Sequence, residues 1–265
     1  MKRDINEVLV GLYEELSENA ENGTKYPSYK LSKMEKITQE IVGMKPGSVL
    51  TLFGNNSCIE ATMLIKIAED MAKAGKRVLY INNMDSELAA SHLFLAREGK
   101  VNRYHLQNAE LSADEWRAAA NAARAVGFYD IHVYEPKPFS DNTCKNIEGM
   151  VSSLGGVDVI VIENMYLLLK DYGTQFDYEK ALKILAFSAG AAVISGTNAF
   201  HGIVESFIAD KELILTHDIS ADDKVVTEII LRGRDWVGYG VYTEEEYIPE
   251  YALWKSEIAD RETKE

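Results

Sequence analysis

The stretch Gly54-Asn55-Asn56-Ser57-Cys58-Ile59-Glu60-Ala61 lies between an apolar run, Val49–Phe53, and a segment with apolar residues at Ile59, Met63, Ile67 and Met71. Strand, glycine, polar loop and helix is the arrangement in which backbone N–H groups converge on a phosphate. That chemistry also needs a small residue for close approach, a lysine on the β- and γ-phosphates and a hydroxyl on Mg²⁺. Ile59, Glu60 and Ala61 stand at those places, and Thr62 comes one residue late, about 100° further round a helix. A carboxylate ~4 Å from a phosphate charge costs on the order of 4 kcal/mol at an effective dielectric of about 20, and each ~1.4 kcal/mol is tenfold in affinity. Such a loop would bind nucleotide at millimolar strength or worse. Glu60 then has two readings. It is a solvated first-turn glutamate, or its carboxylate sits where a phosphate would, favoured by the helix dipole and the free N–H groups.

Other reactive constellations are sparse. The histidines (His92, His105, His132, His201, His217) show no metal-ligand spacing, and neither HExxH nor CxxC occurs. Cys58 and Cys144 are too few for a disulfide framework, which fits reduced thiols in the cytoplasm. No nucleophile–base pair can be assigned. The acidic, aromatic TEEEYIPEY reads as a solvated surface or a contact for a basic partner.

The elements that must position the loop follow from periodicity. Strands are expected at Val49–Phe53, Arg77–Asn82, Ile131–Tyr134, Val157–Ile162 and Ala191–Ser195. Helices are expected at about Ile59–Ala74, Ser86–Glu98, Ala113–Val126, Asp141–Leu154 and Tyr178–Ser188. In the fourth of these Asp141 can cap, while Ile147, Met150, Val151 and Leu154 share a face. VDVIVI is apolar on both alternating faces, the mark of a central parallel strand covered on both sides. ELILTHD, VVTEIILRGR and GYGVYTEEE follow as consecutive strands extending the same sheet. The fold class is therefore α/β with a mostly parallel sheet flanked by helices.

With 265 residues the length fits one large domain or two small ones, and its hydrophobic content of 46% supplies a core. Its formal charge of -14 argues against non-specific attraction to nucleic acid or an anionic membrane. The N-terminal stretch has acidic residues inside its apolar part and lacks a signal-peptide pattern, and no window approaches a membrane span. Ile5, Val8, Leu9, Leu12 and Leu16 form one helical stripe before the breaker ENGTKYPS. That helix either folds back on its own domain or finds another partner.

The order GMKPGSVLTLFGNNSC, VLYINNMDSE, VDVIVIENMYLLL, AAVISGTN and EIILRGRD resembles the RecA-like C-terminal domain of DnaB-type replicative hexameric DNA helicases. The resemblance spans roughly Ile5 to Trp254 and does not include the family's separate N-terminal domain. It implies a RecA-like P-loop NTPase core at 23–255, a linker helix at 1–22 that docks on a neighbouring subunit, and a charged tail at 256–265. It also places family roles on altered residues. The catalytic glutamate position holds Met84, with Asp85 one residue off; the Walker B aspartate position holds Glu163, followed by Asn164; the glutamine sensor corresponds to Gly196. Arg232 and Arg234 match the family's arginine-finger pair, though two arginines at a strand end are also compatible with plain solvation. The loops expected to face DNA, KDYGTQFDYEK and GTNAFHGIVESF, carry little positive charge, so direct DNA binding is not expected.

Taken together the resemblance implies a degenerate, non-hydrolysing relative that works through protein contacts. Its partners would be copies of itself or a DnaB-type helicase, and it would need no cofactor. Two alternatives stay open: a divergent active helicase using ATP and Mg²⁺, and a binding module for a small anion at the strand ends.

Overall fold

VDVIVI shows how the sequence sets the architecture. In the computed structural model its residues Val159 and Val161 pack into one apolar layer, while Val157, Ile160 and Ile162 pack into another on the opposite face. The strand is thus buried on both sides, and helices must cover both. The structure describes residues 33–83, 87–136, 143–165, 175–197, 209–220, 224–233 and 241–257.

The strands are β1 (Val49–Gly54), β2 (Val78–Ile81), β3 (Ile131–Tyr134), β4 (Val159–Ile162), β5 (Ala192–Gly196), β6 (Lys211–Ile219), β7 (Val225–Gly233), β8 (Val241–Ile248) and β9 (Leu253–Trp254). They form one sheet in the order β3-β2-β4-β5-β1-β6-β7-β8-β9. Pairing is parallel from β3 through β6 and antiparallel from β6 to β9. The expected β-rich extension of the same sheet is therefore present.

The helices are α1 (Lys33–Val42), α2 (Ser57–Lys73), α3 (Glu87–Gly99), α4 (Arg103–Asn108), α5 (Ala113–Val126), α6 (Thr143–Ser153) and α7 (Gln175–Ala189). Met34, Ile37 and Ile41 of α1 join Met63, Ile67 and Met71 of α2 on the face of the sheet that presents Leu50, Leu52 and Ile194. Ile147 and Val151 of α6 and Leu182 and Leu185 of α7 cover the other face, against Val49, Val193 and Ile160. Two helices, α1 and α4, are not among those expected from periodicity. The first is a short amphipathic piece whose apolar positions fall at i, i+3 and i+7. The second has six residues, is capped by the Asn102 side chain on Tyr104 N and ends at a left-handed Ala109. Asp141 and the 1–22 helix lie outside the described residues.

The turn before β1 is a place where glycine is required. Gly47 has φ +81 and donates its N–H to Ala191 O at 2.9 Å, tying the start of β1 to β5. At the far end of the sheet a buried ion network holds the C-terminal stretch. Arg97 of α3 bonds Glu69 of α2 at 3.1 Å, Glu257 at 2.7 Å and Ala252 O at 2.5 Å, beneath the Trp254 ring. The charged tail expected at 256–265 lies, apart from Ser256 and Glu257, outside the described residues. Among the described residues no helix is long and apolar enough to cross a membrane.

Candidate functional site

The loop Gly54–Ala61 leaves the C-terminal end of β1, in the middle of the sheet, and enters α2. Asn55 ties it sideways to β6, accepting the His217 N–H at 3.0 Å and donating its amide to His217 O at 3.2 Å. Asn56 is the N-cap of α2. Its backbone is extended, and its Oδ1 accepts the N–H groups of Cys58 at 2.9 Å and Ile59 at 3.2 Å. Its carbonyl accepts the Glu60 N–H at 3.0 Å. The amides that a phosphate would need at this helix end are engaged by Asn56.

Glu60 is 2% exposed, which overturns the solvated reading. Its side chain folds back over Gly54: a Cβ built on that glycine would lie 2.5 Å from Glu60 Cγ and 2.7 Å from Oε1. The carboxylate is therefore packed into the loop itself. Ile59 points into the core at 4% exposure. Thr62 turns away from the loop, donating to Cys58 O at 2.9 Å and meeting Tyr247 Oη of β8 at 3.0 Å. Ala61 offers no hydroxyl. A basic residue does approach from outside, because Arg103 Nη1 lies 2.8 Å from Cys58 Sγ, but the same guanidinium also bonds Tyr104 Oη and stacks on that ring.

Glu163 follows β4 and is 4% exposed. Its Oε1 accepts from Tyr80 Oη at 2.8 Å and its Oε2 from Asn83 N at 3.2 Å. Asn83 and Asn164 lock the two strand ends together, with Asn83 Nδ2 donating to Asn164 O at 2.6 Å and Asn164 N donating to Asn83 Oδ1 at 3.0 Å. Burial first, and then the adjacent Glu163 charge, hold the Tyr80 phenol well above its ordinary pKa, so it stays a donor. Gly196, at the end of β5, is sterically confined. A Cβ there would lie 2.3 Å from Glu163 O, so any side chain at position 196 would require the backbone to move.

The structure thus brings Gly54, Asn56, Glu60, Glu163 and Gly196 to the C-terminal ends of adjacent parallel strands. Arg232 is exposed on β7, opposite Glu212. Arg234, Met84 and Asp85 lie outside the described residues, as do Ile5, Val8, Leu9, Leu12 and Leu16. Most of the two loops expected to face DNA lies outside them as well. Two contributors, Tyr80 and Arg103, were missed by sequence reasoning, and Asn56 was read as part of the loop without its capping role. An asparagine just before a helix is a cap signal that identifies Asn56. Tyr80 on Glu163 and Arg103 on Cys58 are long-range pairings without a local signal. Among the described residues no group of three or more His, Cys, Asp or Glu side chains is placed to hold a metal ion.

No protein-family profile matches the chain, and no curated protein sequence does. Solved structures do. A structure described as an ATPase domain superposes with a TM-score of 0.78 at 16% identity, over 96% of this chain and 99% of that one. A DnaB-like replicative helicase, solved in a study of its interactions with primase, gives 0.74 at 16% identity, over 96% of this chain and 67% of that one. A KaiC-like protein from Pyrococcus horikoshii OT3 gives 0.55 at 13% identity, over 78% of this chain and 88% of that one. At these identities the likeness establishes architecture: the chain has the RecA-like fold found in the ATPase domains of DnaB-like helicases.

Proposed function

We propose that this chain is a helicase-like RecA-fold protein that does not hydrolyse ATP and acts through protein contacts, as an accessory or modulatory subunit linked to DNA replication. The observation that supports this reading is the Glu60 carboxylate, buried against Gly54 in the loop where a nucleotide's phosphates would lie. A bound phosphate would have to displace both that carboxylate and the Asn56 cap. The replication link rests on the shared fold, since the similar structures include a replicative helicase that interacts with primase. Arg232, exposed on β7, and Arg234 beyond it are the residues this chain would offer to a neighbour's nucleotide in a mixed ring.

The experiment is sedimentation of the chain alone and mixed with a DnaB-type helicase. The proposal expects a concentration-dependent oligomer or a mixed complex, disrupted by Leu9→Asp plus Leu12→Asp without loss of the folded core. A strict monomer that binds no helicase would overturn it.

A further inference from the structure

On the antiparallel end of the sheet, Leu213, Leu215, Ile229 and Leu231 share the apolar layer that α1 and α2 cover. The residues between them point to the opposite face. None of those belongs to either apolar layer of the core. Strand register sets this outer face in rows across β6, β7 and β8. One row is apolar, with Ile214 buried, Ile230 half-buried and Tyr242 39% exposed. The next places Glu228 directly opposite Glu244, both exposed. The third runs Asp218, Val226, Glu246. Arg232 lies one row beyond the apolar one, outside the acidic part.

Like charges directly opposite on neighbouring strands repel, and here no cation relieves them. The Tyr242 hydroxyl donates to Glu244 and lies 3.4 Å from Glu228 Oε1, but it has one proton for two carboxylates. No Lys or Arg among the described residues pairs with Glu228 or Glu244. Glu246, in the next row, has Lys255 at 3.0 Å and Lys224 at 3.5 Å. Such a face repels the phosphates of nucleic acid or an anionic membrane. At long range it also repels a second copy of a chain of net charge -14.

We infer that this face receives a basic amphipathic helix of another protein, its apolar stripe on Ile230 and Tyr242 and its Lys or Arg side chains on Glu228 and Glu244. The dimensions fit. Three strands span ~10 Å, and a helix with its side chains is about 10–12 Å wide. Ile230 to Val226 covers ~14 Å along β7, about two and a half helical turns. A cation brought to the opposed carboxylates turns repulsion into attraction, so the charge left uncompensated in the free chain selects the occupant. The contact does not require the partner to be a helicase, and it leaves Arg232 available for the role proposed above.

Calorimetry on the full-length chain tests the inference. The probe is a helical peptide of about 18 residues with leucines along one face and lysines beside them; a second peptide has glutamate for every lysine. At low salt the lysine peptide is expected to bind saturably with a Kd below about 1 mM, and the glutamate peptide not to bind. Glu228→Lys plus Glu244→Lys should raise that Kd at least ~10-fold, and Tyr242→Ala at least ~3-fold. Glu110→Lys plus Asp114→Lys makes the same charge change at exposed positions on α5 and the turn before it, and should raise it less than ~3-fold. Glu228→Gln plus Glu244→Gln keeps the side-chain shape and should weaken binding at least ~3-fold, so the test stays readable if charge reversal disturbs the strands. Equal losses in the face and control variants would reduce the binding to general charge attraction and overturn the inference, as would no saturable binding. Sedimentation of the chain alone adds a last outcome: an oligomer dispersed by the face variants would make a second copy the occupant and overturn it too.

Discussion

Glu60 packs so closely on Gly54 that the two positions must be energetically coupled. A methyl group added at Gly54 would meet Glu60 Cγ at 2.5 Å, Oε1 at 2.7 Å and Cδ at 3.0 Å, and all three of those nearest atoms belong to the one side chain. Gly54 is the last residue of β1 and is not among the glycines with positive φ, so Gly54→Ala carries no backbone penalty of that kind. Its cost is overpacking, about 1–3 kcal/mol. For a domain of this size that lowers Tm by about 2–4 °C per kcal/mol. Removing the obstacle should remove the cost, so Gly54→Ala in a Glu60→Ala background should lose under about 1 kcal/mol, leaving a coupling of about 1–2 kcal/mol, within the range for touching residues. Urea unfolding of the parent, both single variants and the double variant measures this coupling. If Gly54→Ala is neutral in the parent, or equally costly in both backgrounds, Glu60 does not lie over the glycine and the account of the loop fails.

Three further outcomes follow from the same structure. Asn56→Ala should cost about 0.5–2 kcal/mol by exposing the Cys58 and Ile59 amides, read by urea unfolding, and this assigns to Asn56 the capping role that the sequence alone suggested for Glu60. Arg97→Met should cost about 3–5 kcal/mol in the same assay, because it leaves Glu69, itself 1% exposed, buried beside Glu257 without its cation. Acid should weaken the fold through two carboxylates. The Ser112 backbone N–H first, and then His105, hold the Glu115 pKa down at about 2, while at Glu257 burial pushes upward but Arg97, Lys66 and the Trp254 amide together bring it below its usual value. Groups lowered in the folded state contribute stability that is full above the ordinary carboxylate pKa and is lost as pH falls through the folded value. Thermal unfolding should therefore show Tm falling below about pH 4.5, with a shallower fall in Glu257→Gln; identical slopes would remove Glu257 from this account.

The parallel core was legible because buried strands and amphipathic helices write their periods into the sequence. Helix α5 matches its expected bounds, Ala113–Val126, since a Ser112–Glu115 capping box marks its start and its periodicity stops at Gly127. The two-sided burial of VDVIVI was legible for the same reason. The six residues of α4 are too few to show a period, and what defines them is a cap and one left-handed residue. At the site, it was readable from residue type that Ile59, Glu60 and Ala61 are not the small residue, lysine and hydroxyl that a phosphate loop uses. Whether Glu60 faced water or the loop was not, because that depends on the close approach of Gly54 across the β1–α2 turn. The need for glycine at 196 was hidden too, since it arises from how closely the Glu163 carbonyl, at the end of the neighbouring strand, approaches β5. The Arg97 network joins residues far apart in the chain, and charge patterning within one helix gives no hint of it.

The central claim, that the loop between β1 and α2 is closed to nucleotide by its own residues, is tested most directly by titrating ATP·Mg²⁺ into the full-length chain by calorimetry. The account predicts no saturable heat at micromolar ligand and a Kd in the millimolar range or weaker, on the order of 4 kcal/mol or more from a micromolar site. A Kd below about 50 μM, or magnesium-dependent ATP turnover lost in Glu163→Gln, would contradict it.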